Sequence, residues 1–311
     1  MMTWETNENI LVQGIDTPLA QYYVPRMLAY GTQIVAGVSA GKGGVTVHEL
    51  PVFDLVMTAN SELGDITTSL IFVDRFAVLD AAFEAIAAGI KQLIIVSAGV
   101  PPLDMVRLFC KAKRQKVRIL GPGSSGLIVP GKLWLGTGFV NHFQAGDVAL
   151  LSRFSSLSQE AAILLNKEGL GQSCVIDVGN ADLPGSNFAQ WLSILDADPK
   201  TKAIALLGRY SSQEEIELIP IIRDDIATPV VTYLCGNHAP LHQSCHDAGT
   251  IIANQLSYCL SETYSETEMA AAFKREKLMF ARTLEDVPLL LKKAIAPAKS
   301  RSRRKSKTAV N

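Results

Sequence analysis

Short, largely apolar runs recur along the first part of the chain, and each ends close to a glycine, serine or aspartate. The runs lie at 10–14, 34–38, 69–73, 93–97 and 117–121. Because apolar residues follow one another in these runs instead of alternating with polar ones, they predict strands covered on both faces. Strands of this kind belong to parallel sheets.

The stretch between the third and fourth runs has a different spacing. Apolar residues recur every three or four positions, which predicts a helix over 76–90 with Gly89 as its stop signal. Its apolar face comprises Phe76, Leu79, Phe83, Ile86 and Ile90. Strands that alternate with such helices predict a βαβ series of the Rossmann type.

The second half repeats this alternation. We predict strands over 148–152, 174–178, 203–208 and 230–234, and helices over 157–168, 188–197 and 213–223. A Gly/Pro/Ser-rich stretch at 121–126 lies between the halves and fits an interdomain turn. The fold class is therefore α/β with two parallel sheets, in domains spanning 1–122 and 123–295. The remaining segment, 296–311, is rich in Ser, Lys and Arg, and we expect it to be disordered.

Composition limits the class of protein. With 48% hydrophobic and 19% charged residues among 311, the chain can bury two large cores. We expect a cytoplasmic protein with no membrane segment, because no run of about 18 apolar residues occurs. Five cysteines, an odd number, predict reduced thiols. Six of the last thirteen residues are basic, and we interpret them as a solvated end, not a nucleic-acid site.

A series of motifs links the chain to a known family. They include Val-Ser-Ala-Gly-Lys-Gly-Gly at 38–44, Leu-Pro-Val-Phe at 50–53, Gly-Leu-Ile-Val-Pro-Gly at 126–131 and Pro-Gly-Ser-Asn-Phe at 184–188. In this order and spacing, from about 10 to 295, the chain resembles the α-subunit of succinate–CoA ligase. The resemblance implies a CoA-binding Rossmann domain and a flavodoxin-like ligase domain. It also implies a β-subunit partner of the ATP-grasp type that binds the Mg-nucleotide, and reversible succinyl-CoA formation in the tricarboxylic acid cycle.

The family carries phosphate on a histidine within Gly-His-Ala-Gly, and the matching run here is His-Asp-Ala-Gly at 246–249. Asp247 therefore stands at the nucleophile position, and His246 lies one residue before it. One residue moves a side chain by up to ~3.8 Å, enough to disturb in-line geometry. The family's orienting carboxylate is replaced by Arg209, whose guanidinium cannot accept a hydrogen bond from an imidazole. An ion pair between Arg209 and Asp247 is an equally simple interpretation.

Both phosphate-holding segments of the family are altered. Where the family begins a helix with Ser-Arg-Ser-Gly-Thr, this chain has Phe154 in place of a small hydroxyl residue. We expect Ser155 and Ser156 to cap that helix instead. In the other loop, Ser124 lies within Gly-Ser-Ser at 123–125, where the family has Asn-Cys-Pro.

The CoA site that the resemblance implies is partly kept. Lys42 matches the family's CoA lysine. The first βα turn, with Gly14, Asp16 and Thr17, places an acid and the donor-free Pro18 where a pyrophosphate should lie. The third CoA segment comprises Val96, Ser97 and Ala98, and it lacks the family's acidic residue. We expect weakened or altered CoA binding.

A cluster of histidines and cysteines has no counterpart in the family. His238, His242 and His246 are four residues apart, with Cys235 and Cys245 nearby. Helical spacing of this kind can hold zinc, but Pro240 disfavours a regular helix, and we assign no metal ligand. Three hypotheses remain: a ligase subunit with an altered phosphate carrier, a non-catalytic homologue that binds CoA or a β-subunit, and a metal-binding protein.

Overall fold

The computed structural model describes residues 8–181, 183–210, 213–236 and 266–296, and within them the chain forms two seven-stranded sheets with helices between the strands. The predicted α/β class with two sheet domains is confirmed. Within these ranges, no helix combines the length and the apolar character needed to cross a bilayer.

The first sheet has the strand order β3-β4-β2-β1-β5-β6-β7. Its strands are β1 (Asn9–Gln13), β2 (Ile34–Val38), β3 (Thr46–Val47), β4 (Leu50–Phe53), β5 (Ile66–Ile71), β6 (Gln92–Ile95) and β7 (Arg118–Leu120). Every neighbouring pair is parallel except β3 and β4. The order reverses at β1, so the crevice beyond the carboxyl ends of β1 and β5 is the expected ligand position of such a sheet.

Four helices accompany this sheet in the described residues: α1 (Pro18–Tyr30), α2 (Val56–Leu63), α3 (Val78–Ala87) and α4 (Pro102–Gln115). The predicted helix over 76–90 exists, but the apolar face that we assigned to it is partly wrong. Phe76 precedes the helix and is 68% exposed. Ile86 and Ile90 are buried as predicted, and the buried face also contains Ala81, Ala82 and Ala85, because small side chains let α3 approach its neighbours closely.

The second sheet has the order β14-β13-β12-β10-β11-β8-β9. Its strands are β8 (Gly126–Val129), β9 (Leu133–Gly136), β10 (Ala145–Ser152), β11 (Gln172–Asp177), β12 (Ala203–Arg209), β13 (Val230–Cys235) and β14 (Met279–Ala281). Five strands are mutually parallel, whereas β8 and β9 form an antiparallel hairpin at one edge. The sequence pattern did not reveal this hairpin. Its connection at 130–132 is too short for a parallel crossover.

The helices of the second half are α5 (Ser155–Lys167), α6 (Phe188–Asp196), α7 (Gln213–Asp224), α8 (Glu266–Arg275) and α9 (Asp286–Ile295). The predicted helices at α5, α6 and α7 are confirmed to within two residues at either end. Helix α6 starts with a capping box between Asn187 and Gln190, and it buries Phe188 and Trp191 completely.

The two halves share a packed junction. The Thr32 hydroxyl donates to the carbonyl of Trp134 at 2.8 Å, and the Trp134 amide donates to the same hydroxyl oxygen at 3.1 Å. Tyr23 and Tyr30 of α1 contact the Trp134 ring edge-on. The hairpin of the second sheet thus packs on a helix of the first. The division into 1–122 and 123–295 stays a prediction about folding units.

Candidate functional site

The turn after β1 is a tight βα turn at the centre of the first sheet. Gly14 has φ +75°, and a Cβ there would lie 3.0 Å from the backbone nitrogen of Val73, so glycine is required. The Thr17 hydroxyl donates to the carbonyl of Gly14 at 2.8 Å and accepts from the amide of Ala20 at 3.4 Å, which caps α1. The predicted residues Gly14, Asp16 and Thr17 therefore lie together at the amino end of a helix.

Lys42 reaches this turn from the loop after β2. Its Nζ lies 2.7 Å from Oδ2 of Asp16, and the side chains are 52% and 29% exposed. The hydrogen bond from Lys42 is the main cause that lowers the pKa of Asp16, and a bond from Ser39 acts in the same direction. The lysine charge thus has an internal carboxylate partner, which the sequence analysis did not pair with it.

The segment after β6 meets the loop that joins the two sheets. The Ser97 hydroxyl donates to the carbonyl of Val73, and the Ser97 carbonyl accepts from the amide of Gly123 at 3.0 Å. A Cβ on Gly123 would lie 3.3 Å from the Cβ of Ala98. Val96, Ser97 and Ala98 therefore lie directly against the predicted phosphate loop at 123–125.

A carboxylate of the protein already accepts hydrogen bonds from the donor groups of this loop. Oδ2 of Asp177 accepts from the amide and the hydroxyl of Ser125 at 2.9 and 2.6 Å, and Oδ1 accepts from the amide of Gly179 at 3.0 Å. The Ser124 hydroxyl donates to the Asp177 carbonyl. Burial raises the pKa of Asp177, although these hydrogen bonds oppose the shift. Asp177 is not among the predicted site residues, because its only signal in the sequence is a carboxylate at the end of an apolar run.

The amino end of α5 differs from our expectation. The N-cap is Phe154, which makes no side-chain cap bond, and Ser155 and Ser156 are the first helical residues. The expectation that these two serines cap the helix is therefore wrong. Their side chains are inside the first turn, where a hydroxyl cannot reach the amides that an N-cap serves. The Phe154 amide itself donates to the Ser152 hydroxyl at 3.0 Å.

A buried charged cluster lies beside this helix end. Arg153 is only 4% exposed, its Nε donates to Oε1 of Glu215 at 3.0 Å, and its Nη2 donates to Oε2 of Glu214. Oε1 of Glu214 also accepts from the amide of Phe188 at 3.0 Å. Burial acts to lower the pKa of Arg153, but the two carboxylates outweigh it and raise that pKa. The sequence analysis did not identify this cluster.

The Glu215 side chain also lies next to the end of β12. This is the place where the family has its orienting carboxylate and this chain has Arg209. Oε1 of Glu215 accepts from the backbone amide of Arg209 at 3.2 Å, and its buried Oε2 has no hydrogen-bond partner in the described part of the chain. A Cβ on Gly208 would lie 2.8 Å from Cγ of Glu215, so glycine makes room for this side chain. A carboxylate thus remains near position 209, although it comes from α7.

The predicted carrier residues Asp247 and His246 lie outside the described residues, as do His238, His242 and Cys245. Within the described ranges, no group of three His, Cys, Asp or Glu side chains is arranged to hold a metal ion. Cys110, Cys174 and Cys235 are free thiols. Burial raises the pKa of the Cys174 thiol to about 12, which makes it unreactive at neutral pH.

Two family models match the chain. The CoA binding domain matches residues 5–99, and the CoA-ligase domain matches residues 151–273. The first match contains the turn with Gly14, Lys42 and Ser97. The second contains the cluster of Arg153 and Glu215.

Curated relatives agree with these matches. A succinate–CoA ligase [ADP-forming] subunit alpha 2 from Archaeoglobus fulgidus is 38% identical over 243 residues, covering 78% of this chain and 84% of the relative. The succinate–CoA ligase [ADP-forming] subunit alpha from Staphylococcus aureus is 34% identical over 251 residues, covering 80% of this chain and 82% of the relative.

Solved structures support the fold. An ATP citrate lyase from Methanosaeta concilii, in complex with (3S)-citryl-CoA, superposes with a TM-score of 0.78 at 19% identity. The match covers 94% of this chain but only 50% of that one, so this chain spans half of its length. An acetyl-coenzyme A synthetase from Ca. Korarchaeum cryptofilum gives a TM-score of 0.67 at 20% identity, and the match covers 90% of this chain and 59% of the synthetase chain.

Proposed function

Because the chain belongs to the succinate–CoA ligase α-subunit family, we propose that it is the CoA-binding subunit of an acid–CoA ligase that works with a β-type partner. The partner is an ATP-grasp chain that supplies the Mg-nucleotide. The overall reaction joins an acid to CoA and converts ATP or GTP to the diphosphate and phosphate, with succinate as the expected acid.

The observation that carries this proposal is the contact between the two predicted sites. The loop at 123–125 binds Ser97 of the first sheet through Gly123, and it binds Asp177 of the second sheet through Ser125. A CoA thiol brought to the carboxyl edge of the first sheet would therefore lie beside the carboxyl edge of the second. A ligase needs this proximity, because the thiol must attack an activated acyl group before water does.

CoA binding at Lys42 requires its ammonium group to exchange Asp16 for a phosphate. Both side chains are partly exposed, and such pairs contribute about 0–1 kcal/mol, so the exchange costs little. The neighbouring Asp16 carboxylate would still repel the incoming phosphate. We therefore propose that this chain binds CoA more weakly than it would if Lys42 had no carboxylate partner.

The phosphate carrier is the open part of the proposal. Asp247 as carrier would form an acyl phosphate, whereas His246 would form a phosphoramidate. In either case the phosphoryl group passes to the substrate carboxylate, and the CoA thiolate then displaces phosphate from the mixed anhydride. The Glu215 carboxylate accepts from the backbone amide of Arg209, but it is also paired with Arg153.

A non-catalytic role is the second candidate, and one observation favours it. Asp177 occupies the amide and hydroxyl of Ser125, which are donors that a phosphate would otherwise use. In that case the chain would still bind CoA and the β-type partner, but it would not transfer phosphate.

The deciding experiment is acyl-CoA formation by the co-purified heteromer with succinate, CoA, ATP and magnesium. Production of succinyl-CoA that is reduced by Lys42→Ala supports the ligase. CoA binding and heteromer formation without turnover support the non-catalytic homologue. A chain that binds neither CoA nor a β-type partner would contradict both.

A further inference from the structure

A second cleft lies at the opposite end of the first sheet from the predicted CoA site. It is formed by the starts of β6 and β7 on one side and by α6 with its preceding loop on the other. Its volume is about 580 Å³, which falls within the range of small-molecule sites. The length of β6 separates it from Val96, Ser97 and Ala98, roughly 13 Å at 3.3 Å per residue.

The sheet side of this cleft is cationic. Lys91, Lys116 and Arg118 line it, and no Asp or Glu is among its lining residues in the described part of the chain. The Glu8 carboxylate lies next to the cleft, 3.3 Å from Nε2 of Gln92. Burial lowers the pKa of Arg118, although the charge of Glu8 opposes this shift. Across the described ranges, the Arg118 guanidinium has no hydrogen bond or ion pair. Glu8 acts on Arg118 only through its charge, without an ion-pair contact, so this half-buried cation can still take a bound anion as its direct partner.

The helix side adds neutral donors. The Ser186 oxygen accepts from the Trp191 indole at 2.7 Å, so its own O–H proton remains available to donate. Oε1 of Gln190 accepts from the amide of Asn187 at 3.1 Å, which leaves the Gln190 amide N–H groups for another acceptor. These donors belong to the lining of the same cleft.

One buried acceptor in the lining has no partner. Gln92 is 7% exposed, and its Nε2 donates toward Glu8 at 3.3 Å. Its Oε1 is buried and has no hydrogen-bond donor among the residues that the structure describes. Exchanging the two amide atoms would place this oxygen against the Glu8 carboxylate, so Nε2 is the atom that faces Glu8. A buried acceptor of this kind normally has a donor, and a bound molecule can supply one once the Gln92 side chain turns toward the cleft.

We propose that this cleft binds a phosphate-bearing small molecule at a site separate from the CoA site. The phosphate would take its charge partners from Arg118 and Lys116 and a hydrogen bond from Ser186. A hydroxyl or amino group of the same molecule, as a nucleotide carries, would donate to Oε1 of Gln92. An inorganic diphosphate shares only the anionic part of this chemistry.

Two variants test the site on the full chain purified without a β-type partner. Lys116 has φ +55°, a conformation that suits glycine better than lysine. Lys116→Gly therefore removes a cleft charge without backbone strain and should keep or raise the melting temperature. Arg118→Gln removes the half-buried cation. The control is Lys132→Gln, an exposed lysine in the turn between β8 and β9.

The measurement is calorimetric titration with ADP and with inorganic diphosphate. We expect Arg118→Gln to weaken ADP binding about tenfold or more and Lys116→Gly about three- to tenfold, because charge-assisted hydrogen bonds are lost. Lys132→Gln should bind like the wild type. Tighter binding of ADP than of diphosphate would assign the Gln92 acceptor to a nucleotide group, and equal binding would assign the site to the phosphate alone.

The proposal fails if neither probe binds the wild-type chain. It also fails if Lys116→Gly and Arg118→Gln, with unchanged melting temperatures, bind both probes like the wild type. Loss of binding in Lys42→Ala but not in Lys116→Gly would place the ligand at the predicted CoA site instead.

Discussion

Arg153 and Glu215 form a buried ion pair, with Nε and Oε1 separated by 3.0 Å and the two side chains 3% and 0% exposed. The same Glu215 oxygen accepts from the backbone amide of Arg209. The pair therefore connects the loop before α5, the end of β12 and the first turn of α7. Three segments that surround the predicted phosphate site depend on it for their relative positions.

Removing the cation of this pair should destabilise the protein strongly. Arg153→Met leaves the buried carboxylate of Glu215 unpaired, and the free energy of unfolding should fall by about 3–5 kcal/mol. Urea denaturation followed by circular dichroism measures it. The matched control is Lys202→Met, which breaks an exposed pair with Asp147 and should change stability by at most about 1 kcal/mol. Equal effects of the two variants would contradict the structural role.

The pair between Lys42 and Asp16 predicts opposite effects of two substitutions on CoA affinity. Lys42→Ala should weaken CoA binding, because a phosphate loses its cation. Asp16→Asn should tighten it about two- to fivefold, because a competing anion worth up to about 1 kcal/mol is removed. Calorimetric titration with CoA tests both, with Lys132→Ala as an exposed control. Unchanged affinity in Lys42→Ala would remove Lys42 from the site.

Asp177 predicts a specific pH dependence of stability. Its folded pKa is raised above the ordinary 3.8, so the folded state holds this proton more tightly than the unfolded state does. Its contribution to stability is therefore most favourable at low pH and is lost as pH rises through the raised pKa. The amide of Asp177→Asn does not titrate, so the variant does not lose this contribution to stability as pH rises.

The measurement is the difference in unfolding free energy between Asp177→Asn and the wild type, from pH 4 to pH 7. The difference should move in favour of the variant as pH rises, whatever its sign at pH 4. A pH-independent difference would contradict the raised pKa of Asp177.

The phosphate carrier can be identified by chemical stability. After incubation of the heteromer with labelled ATP, we expect no acid-labile, hydroxylamine-resistant label on His246, because it lies one residue from the family's nucleophile position. Hydroxylamine-labile label on Asp247 would identify an acyl-phosphate carrier. Asp247→Asn and His246→Gln are the matched variants. Label that disappears only in His246→Gln would overturn this prediction.

Partner binding is predicted from the family membership. Co-expression with the β-type chain of the same host should yield a heteromer on size-exclusion chromatography. The Lys42→Ala variant should assemble equally well, since its side chain lies in the predicted CoA site. A chain that elutes alone under these conditions would contradict the partner prediction.

Local patterns predicted much of the fold. The strands at β1, β2, β6 and β12 lie within about two residues of the apolar runs, because burial on both faces leaves a signal in consecutive residues. Helix α3 shows the limit of this reasoning. Its period was right, but Phe76 precedes the helix and is exposed, because apolar spacing does not fix the residue at which a helix begins.

The sequence alone determined the α/β class and the family, and it predicts a CoA site that contains Gly14, Lys42 and Ser97. Only the tertiary structure decided which charges meet. Lys42 and Asp16 are 26 residues apart, Ser125 and Asp177 are 52 apart, and Arg153 and Glu215 are 62 apart. Each pair joins residues at or beyond the carboxyl ends of different strands, and the fold brings such strand ends together regardless of their separation in the chain. A residue pattern records burial and local conformation, whereas the partner of a charge depends on strand order.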